Sequence, residues 1–418
     1  MTFLEMRIIG RHHDFQRKVS VSTPLRLAAL LGLVSLGLPV VGHAQGSGPK
    51  WYDRVSFNGD FRLRGEGFFQ RDEPNRVRLR IRLRAGVTIA ISDHFTTGFR
   101  MATGAPGAVT SANLTLGNGF VGESFTLDRA YLTWRPSRRF EATAGKFGMP
   151  FHRPAALLGS ELAYDDEVPP EGLRQQLVVL ERLEGLVRKL TLSADQWILR
   201  ESRSGDDTWM LGGQALMELV PSTHTRLDLA GAFMNWAQIR PMATLANSNK
   251  ELVISNSVVT KSRAILEGGS PLTPSTSDPF AEFANDFRIA TLNAGLTVDS
   301  VGGRPLVSYV DLVRNTALGS NNSGIWVGAS WGQVRRQGDW AIGAAWTRLE
   351  REAVLSMFSY SDLGLGGTNV QGPIFQFTWR PVRELTLQAK HHIVQSVLPV
   401  PGFSGTLHRL QLDGRVSF

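Results

Sequence analysis

The sequence predicts an all-β fold, a transmembrane antiparallel β-barrel whose short turns are periplasmic and whose long loops are extracellular. Three observations lead to this fold class. One stretch alternates arginine with aliphatic residues, the N-terminus has the composition of an export signal, and the last segment alternates apolar with polar residues up to a terminal aromatic. Each is typical of a barrel strand or of a chain that leaves the cytoplasm.

The alternating stretch spans residues 76–84 and has a period of two, as a β-strand requires. Its aliphatic face carries Val77, Leu79, Ile81 and Leu83. Its other face carries five arginines, Arg76, Arg78, Arg80, Arg82 and Arg84. Guanidinium groups stay charged at any accessible pH, so that face needs water or counter-charges while the other needs an apolar neighbour. Considered alone, the stretch also fits the outer strand of a soluble sheet.

The N-terminal segment predicts a signal peptide over residues 1–44, exported through the Sec pathway. A basic region precedes the apolar run 27–41, and Gly42-His43-Ala44 places small residues where a signal peptidase cleaves. The run is shorter than the ~20 residues of a spanning helix. A buried N-terminal helix is the alternative, and Met6 or a later residue is an alternative start. Residues 45–53 are then a short periplasmic segment, and residues 54–418 form the barrel.

The C-terminal segment has an apolar face that ends on Phe418. The pattern is similar to the assembly signal of Gram-negative outer-membrane barrels, which implies recognition by the barrel-assembly machinery. The residues of this face are Leu410, Leu412, Gly414, Val416 and Phe418.

Composition excludes several classes of protein. The 418 residues have 42% hydrophobic content and a mean hydropathy of −0.10, which is too low for a helical membrane protein. Barrel strands hide their membrane character because every second residue faces water. The absence of cysteine excludes a disulfide framework. A net charge of +8 is compatible with a nucleic-acid-binding protein, but no recognition helix or stacking motif accompanies it.

Sixteen short segments have strand-like patterns. An even number places both chain ends in the periplasm, and fourteen or eighteen strands stay open because 173–181 and 186–202 are weakly patterned. Short connections such as 92–93, 135–138, 221–222 and 381–382 alternate with long ones such as 149–172, 237–285 and 355–369. The segments are 54–66, 76–91, 94–104, 124–135, 139–147, 173–181, 186–202, 207–220, 223–238, 286–299, 303–315, 322–335, 338–351, 370–380, 383–395 and 407–418.

Aromatic residues cluster near predicted strand ends. Trp134 precedes Pro136, and Phe375, Phe377 and Trp379 precede Pro381. Such positions suit an interfacial girdle in contact with outer-membrane lipid and lipopolysaccharide. Packing inside a soluble β-sandwich is the alternative.

Catalytic and ligand motifs occur only in the wrong context. Ser330 lies in a nucleophile-like Gly-x-Ser-x-Gly string, but inside a predicted strand rather than at a strand–turn–helix. The glycine-rich string 117–122 precedes a strand where a dinucleotide site needs a helix. His391 and His392 are adjacent and point to opposite faces of a strand. We therefore assign no catalytic residue, cofactor or metal site. An outer-membrane barrel enzyme of the lipase or protease type and a soluble exported polyanion-binding protein remain as rivals.

Several motifs resemble those of the putative porin family of Gram-negative outer-membrane barrels, itself distantly similar to phosphate-selective porins. They are Asn58–Arg64, Asn75–Arg80, Leu127–Trp134, Ala144–Phe151, and Asp165-Asp166 leading to Pro170–Gly172. The family often has a longer N-terminal segment than the short one expected here. The resemblance implies an outer-membrane channel for passive diffusion of small hydrophilic solutes, assembled as a homotrimer. The residue patterns themselves predict no nucleic-acid partner.

The charged residues also predict which ions the channel prefers. If the aliphatic face of 76–84 meets lipid, the arginines line the lumen and favour anions. Alternatively, they pair with acids such as Asp60 and Glu66 and serve assembly only. The predicted pore-lining residues are Arg62, Arg64, Arg76, Arg78, Arg80, Arg82, Arg84, Arg100, Arg129 and Lys146. Loop 149–172 is either a solvated surface loop or folds inward as a constriction through Glu161, Asp165, Asp166, Glu167 and Glu171.

Overall fold

The structure is a computed structural model, and it describes residues 51–71, 73–105, 107–203, 207–243, 255–260, 281–364, 366–399 and 405–418. The predicted signal peptide and cleavage site lie outside these residues. Among the described residues, no helix is long and apolar enough to cross a membrane.

Nineteen strands and two short 3-10 helices, Trp51–Arg54 and Ser356–Phe358, make up the described secondary structure. The strands are β1 Val55–Gln70, β2 Arg76–Ala90, β3 Phe95–Thr103, β4 Leu114–Thr115, β5 Phe125–Ser137, β6 Phe140–Lys146, β7 Glu171–Glu181, β8 Val187–Arg200, β9 Thr208–Ser222, β10 Thr225–Ala237, β11 Val258–Thr260, β12 Ala281–Phe283, β13 Arg288–Val301, β14 Arg304–Asn315, β15 Ser323–Gly332, β16 Trp340–Leu349, β17 Val370–Trp379, β18 Leu385–Ser396 and β19 Leu407–Ser417.

Sixteen of these strands form one closed antiparallel barrel. Each pairs with its neighbours in chain order, β3 pairs with β5, and β10 pairs with β13. The first and last strands close the barrel, with Asp60 opposite Ser417 and Gln70 opposite Leu407. Strand β4 adds only a short pairing to β2, and β11 and β12 form a separate ladder. The predicted barrel and its count of sixteen strands are confirmed.

The two faces of each strand differ in burial as the alternation predicts. On β2, Val77 and Leu79 are 71% and 54% exposed, whereas Arg80 and Arg82 are 8% and 4% exposed. The outward face is therefore apolar, and the charged face looks into the barrel. Strand β17 repeats the pattern, with exposed Phe375, Phe377 and Trp379 between buried residues.

Long and short connections lie at opposite ends of the barrel. The start of β1 and the end of β19 share the end with the short turns, because sixteen is even. Three of the long connections are important below, and we name them loop A (104–124), loop B (147–170) and loop C (350–369). Two predicted turns are displaced, since Pro136 lies within β5 and Pro221-Ser222 ends β9.

Loops B and C pack inside the barrel against the inner faces of the far strands. An apolar cluster joins them to the wall, and it includes Leu158 and Tyr164 of loop B and Phe358 of loop C. The rings of Trp197 and Trp236 connect the two loops, with centroids 6.0 Å from Tyr164 and 5.7 Å from Phe358, respectively. The side of the lumen formed by β8–β17 is therefore largely filled by apolar side chains, whereas the largest group of charged side chains lies on the opposite wall.

Candidate functional site

The charged wall is formed by β19, β1 and β2, the strands on either side of the closing seam. Their register places arginines in rows across the wall. Arg415 lies opposite Arg62, which lies opposite Arg82, and Arg64 lies opposite Arg80 in the next row. We call the inward-facing arginines of these three strands the arginine wall. Like charges directly opposite each other on a sheet repel, so the wall needs counter-charges.

Two carboxylates of β1 supply part of this compensation. Asp60 accepts hydrogen bonds from Arg82 Nη2 at 2.8 Å and from Arg84 Nη2 at 2.6 Å. Glu66 accepts from Arg78 Nε at 2.5 Å and from Arg409 Nη2 at 2.5 Å. Each acid thus bridges two guanidinium groups, which stabilises both the wall and the pairing of its strands.

Arg64 donates to carboxylates from all three of its guanidinium nitrogens. Its Nε and Nη2 donate to the two carboxylate oxygens of Asp413 at 2.7 and 2.8 Å. Its Nη1 donates to both oxygens of Asp362 of loop C at 3.1 and 3.0 Å. Arg409 also donates to Asp362, at 2.9 Å. Loop C is therefore tied to the seam by charge-assisted hydrogen bonds.

Arg62 and Arg80 differ from their neighbours. The nearest carboxylates lie 3.9 Å from Arg62, at Asp413, and 3.8 Å from Arg80, at Glu66. Their closer contacts are with the neutral oxygens of loop A: Arg62 Nη2 donates to the Asn113 side chain at 2.5 Å, and Arg80 Nη2 lies 3.4–3.5 Å from the Asn113 carbonyl and the Ser111 hydroxyl. The Nε atoms of both arginines are buried and have no hydrogen-bond partner.

Two further predicted arginines face the lumen beside the wall. Arg100 on β3 and Arg129 on β5 lie opposite each other in register. Arg100 Nε pairs with Asp128, and Arg129 Nε lies 3.8 Å from the same carboxylate. Both arginine side chains keep part of their surface exposed, 17% and 28%. They extend the cationic surface towards loop B.

The remaining two predicted cations lie elsewhere. Arg76 is exposed at the start of β2, at the end of the barrel that carries the long loops. Lys146 shares the face of Ala142 and Ala144 on β6, opposite to Thr143, which bonds across the lumen face to Thr133. The prediction that Lys146 lines the pore is therefore wrong. Its side chain reaches water from the last position of the strand and pairs with Glu171 at 2.7 Å.

Loop B lies inside the barrel, as one of the two sequence-based alternatives expected. Its backbone is held by inward-facing side chains of distant strands: Leu157 N donates to Ser330 Oγ of β15 at 3.2 Å. Ser160 Oγ donates to Asp311 of β14 at 2.5 Å. Ser330, singled out by its glycine-flanked motif, is thus an anchor for this loop in the middle of a strand.

The acidic residues of loop B divide into two sets. Asp165 and Glu167 lie inside the barrel, and Glu161 is half-buried there. Asp166 is exposed and pairs with Arg153, and Glu171 is an exposed residue that begins β7. The predicted constriction segment therefore has three buried or half-buried acids and two exposed ones.

Burial and neighbouring charges alter the acidity of these three groups. Burial raises the pKa of Glu161 to about 7. Burial, together with the charges of Glu161 and Glu167, raises the pKa of Asp165 well above its ordinary value. Burial also opposes ionisation of Glu167, but Arg82 and its neighbours outweigh it and lower the pKa of Glu167. Among the three acids, Glu167 is the one whose ionised form the site favours, and it lies 2.5 Å from Arg82.

Loop C is the part of the site that the sequence did not indicate. Asp165 joins it to loop B through two hydrogen bonds of 2.9 Å, from its own N–H to the Phe358 carbonyl and from Ser361 N to its carboxylate. Arg64 and Arg409 outweigh burial and hold the pKa of Asp362 well below its usual range. Arg409 and Asp413 share the polar face of β19, which is the sequence signal that could have found them.

The C-terminal residues have the placement expected of an outward face. Leu410, Leu412 and Val416 are exposed on the outside of β19, and Phe418 lies beyond the end of the strand. Gly59 N and O exchange hydrogen bonds with Phe418 O and N at 2.9 and 3.1 Å. The last residue is thereby hydrogen-bonded to the first strand of the barrel.

The wall keeps an excess of positive charge after pairing. Within the described residues, ion pairs of 4.0 Å or less connect seven arginines with five carboxylates. The arginines are Arg62, Arg64, Arg78, Arg80, Arg82, Arg84 and Arg409, and the carboxylates are Asp60, Glu66, Glu167, Asp362 and Asp413. Across the described parts of the chain, no cluster of three or more His, Cys, Asp or Glu side chains could hold a metal ion.

The sequence profile of a family described as putative porin matches residues 69–398. The chain belongs to the putative porin family. A search of curated proteins found no match.

Solved structures show the same fold at low sequence identity. OprB of Pseudomonas putida, in its high-pH structure, aligns with a TM-score of 0.56 at 13% identity over 88% of this chain and 95% of its own. OmpF of Salmonella typhi, in complex with daunomycin, aligns with a TM-score of 0.50 at 9% identity over 87% and 97%.

Proposed function

We propose that this porin-family barrel is an outer-membrane channel for passive diffusion of small hydrophilic solutes, and that it prefers anions. The anion preference rests on the arginine wall. Among the described residues, seven arginines of this wall share five carboxylates. A cation in a lumen of reduced dielectric raises the local concentration of anions. A paired arginine attracts anions less strongly than an unpaired one. The anion preference therefore depends on the excess of arginines over carboxylates.

The solute path runs along the arginine wall rather than past the far strands. Apolar side chains fill the space between loops B and C and strands β8–β17. Arg84, Arg100 and Arg129 keep 17–28% of their side chains exposed on the opposite side. Loop B narrows this path from one side and places Glu167 against Arg82. The proposed constriction is thus bordered by guanidinium groups on the wall and by one ionised acid on the loop.

The proposal also covers the location and partners of the chain. Its apolar outer face and aromatic strand ends suit contact with lipid and lipopolysaccharide. Export through Sec with cleavage after Ala44, recognition of the C-terminal strand by the barrel-assembly machinery and assembly as a homotrimer complete the proposal. Membership in a family of porins favours a channel over a barrel enzyme.

Planar-bilayer recording tests the proposal most directly. Purified barrel, identified by heat-modifiable gel mobility, is inserted into a bilayer that separates two potassium chloride concentrations. We expect discrete conductance steps and a reversal potential on the chloride side. The preference should shrink at 1 M salt, where the screening length falls to about 3 Å.

Two results would contradict the proposal in different ways. A folded barrel that gives no conductance would remove the channel function. A conducting barrel with a reversal potential on the potassium side would keep the channel and reverse the sign, so that the acids of loop B and not the arginines govern the constriction.

A further inference from the structure

We propose that Arg62 and Arg80, covered by loop A, form a binding subsite for a small doubly charged oxyanion of the sulfate or phosphate type. The inference rests on the proposed function, because it assigns a preferred ligand to the same wall. It starts from the difference between these two arginines and the rest of the wall.

The other arginines of the wall's ion-pair network each have a carboxylate oxygen within 2.8 Å, as Arg64 has at Asp413 and Arg84 at Asp60. Arg62 and Arg80 have none closer than 3.8 Å among the described residues. The excess of two positive charges on the network therefore falls at these two positions. A doubly charged ligand bound there would complete the compensation of the wall.

Neutral oxygens stand where the other arginines have acids. Asn113 accepts from Arg62 through its side chain and contacts Arg80 through its carbonyl, so one residue of loop A bridges the two guanidinium groups. The 3.4–3.5 Å contacts of Arg80 with Asn113 and Ser111 are long for hydrogen bonds to a guanidinium. These weak contacts can be exchanged for the oxygens of an anion.

Unused donors remain on both arginines. Arg62 Nε and Arg80 Nε are buried and unpartnered, on side chains that are only 12% and 10% exposed. A buried guanidinium N–H without an acceptor is costly. Guanidinium pairs recognise oxyanions through parallel N–H···O bonds, and two such groups on diagonal positions of β1 and β2 present donors to several oxygens of one ligand.

The strand register supplies a path of approach. Arg415 lies directly opposite Arg62 across the seam and is exposed, one row nearer the short-turn end of the barrel than Arg64. An anion that enters from the end with the short turns meets the exposed Arg415 at the level of Arg62, one row before Arg80. The exposed cation thus leads to the covered pair.

Sulfate is the probe, and methanesulfonate is its singly charged counterpart of similar shape. Isothermal titration of the detergent-solubilised, heat-modifiable barrel measures binding without any need for conduction. Bilayer recording in potassium chloride measures block of the chloride current by the same two anions. We expect sulfate to bind and block at concentrations about tenfold lower than methanesulfonate, since two uncompensated cations interact with its second charge.

Two variants remove the subsite by different routes. Asn113→Asp supplies the missing carboxylate, and the Arg62→Gln, Arg80→Gln double variant removes the excess charge. Both should weaken sulfate binding by about tenfold or more. Asn58→Asp is the matched control, because Asn58 faces the lumen on the same strand as Arg62 and the substitution changes the charge equally. It should retain sulfate affinity within about twofold.

The outcomes separate the subsite from the channel. Sulfate affinity unchanged in Asn113→Asp, or equal affinity for the two anions in the native barrel, would overturn the subsite even if the barrel conducts and prefers chloride. Sulfate binding that is lost in both variants but kept in Asn58→Asp would support it even in a barrel that does not conduct. The proposed function is tested separately, by the conductance and the reversal potential of the native barrel.

Discussion

Arg64 and Asp413 form a bidentate ion pair across the seam where the first and last strands of the barrel meet, with N–O distances of 2.7 and 2.8 Å. Both side chains are almost fully buried, at 3% and 5% exposure. Residues separated by 349 positions in the chain are thereby joined at the point where the sheet would otherwise have two edges. The pair contributes to closure as well as to the charge of the wall.

The seam pair can be tested by neutralising one partner. Asp413→Asn keeps the shape of the side chain but leaves Arg64 with Asp362 alone, and breaking a buried pair costs about 3 kcal/mol or more. We expect a lower midpoint for heat-induced loss of the compact gel mobility. Glu141→Gln serves as the control, because its pair with Arg135 is solvent-exposed and should contribute less than about 1 kcal/mol. Equal midpoints for the two variants would show that closure does not depend on this pair.

The close contact of Phe418 with the first strand provides a second prediction. A Cβ atom on Gly59 would lie 2.4 Å from the Arg84 carbonyl oxygen and 2.6 Å from the Phe418 ring, whereas one on Gly65 of the same strand would meet its nearest neighbour at 4.0 Å. Gly59→Val should therefore hinder docking of the C-terminal strand, and Gly65→Val should not. Deletion of Phe418 or Phe418→Asp should leave unfolded, protease-sensitive protein in the periplasm, because an unclosed barrel exposes its strand edges.

Membrane fractionation followed by protease digestion measures both effects. Normal outer-membrane levels of the Phe418 deletion would mean that the terminal aromatic is not an assembly signal. Normal assembly of Gly59→Val would mean that the close contact between the first and last strands adjusts without cost.

A third prediction compares the two faces of β2. Leu79 points outward and Arg80 points into the barrel. Leu79→Arg places a charge in the hydrocarbon layer, which costs about 2–4 kcal/mol near the midplane of the bilayer. Arg80→Leu should fold nearly as well as the native chain, since Glu66 keeps Arg78 and Arg409 as partners. The folded fraction on unheated gels measures this difference, and equal damage from the two exchanges would contradict the assigned orientation.

Local periodicity predicted much of the fold, because a strand of a barrel reveals both of its faces in sequence. The alternation at 76–84 predicted which face of β2 is apolar and points outward, and the pattern of connections favoured sixteen strands without excluding fourteen or eighteen. Alternation does not say which acid meets which arginine. The pairing of Arg64 with Asp413 depends on closure of the ring, and its pairing with Asp362 depends on an inward path of loop C that has no periodic signal.

The misplacement of Lys146 has a physical cause of the same kind. A lysine at the last position of a short strand can lie on the lipid-facing side, because its long side chain reaches water or headgroups at the rim. Charge alone therefore does not assign a terminal residue to the lumen. The inward course of loop B was left open for a similar reason, since buried anchors such as Ser330 and Asp311 lie more than 140 residues from it.

The last prediction concerns the effect of pH on how firmly loop B is attached inside the barrel. The carboxyl of Glu161 has a pKa near 7 in the folded protein, compared with an ordinary value of 4.5. The charged groups that interact with it are Arg153, Asp165 and Glu167 of loop B, Lys390 of β18 and Asp362 of loop C. Burial favours the protonated form, and the two cations oppose this shift without overcoming it.

The direction in which stability changes with pH follows from proton binding. Between pH 4.5 and about 7, the folded state binds the proton at Glu161 more tightly than the unfolded state does. Stability from this group is therefore present at acid pH, falls as pH rises through this window and is constant above it. Because Glu161 Oε2 accepts from Asp166 N at 2.9 Å, the neutral substitution Glu161→Gln preserves that hydrogen bond. It also removes the titration.

Heat-unfolding midpoints at pH 5, 6, 7 and 8 measure the effect in both proteins, with channel noise in bilayers as a second readout. We expect the midpoint of the native barrel to fall between pH 5 and pH 7 and that of Glu161→Gln to fall less, because the contribution of Glu161 is then absent. Current fluctuations should increase with pH in the native channel alone, as loop B loosens in the lumen. Identical pH profiles for the two proteins would mean that Glu161 is already solvated and that its ionisation does not affect the loop.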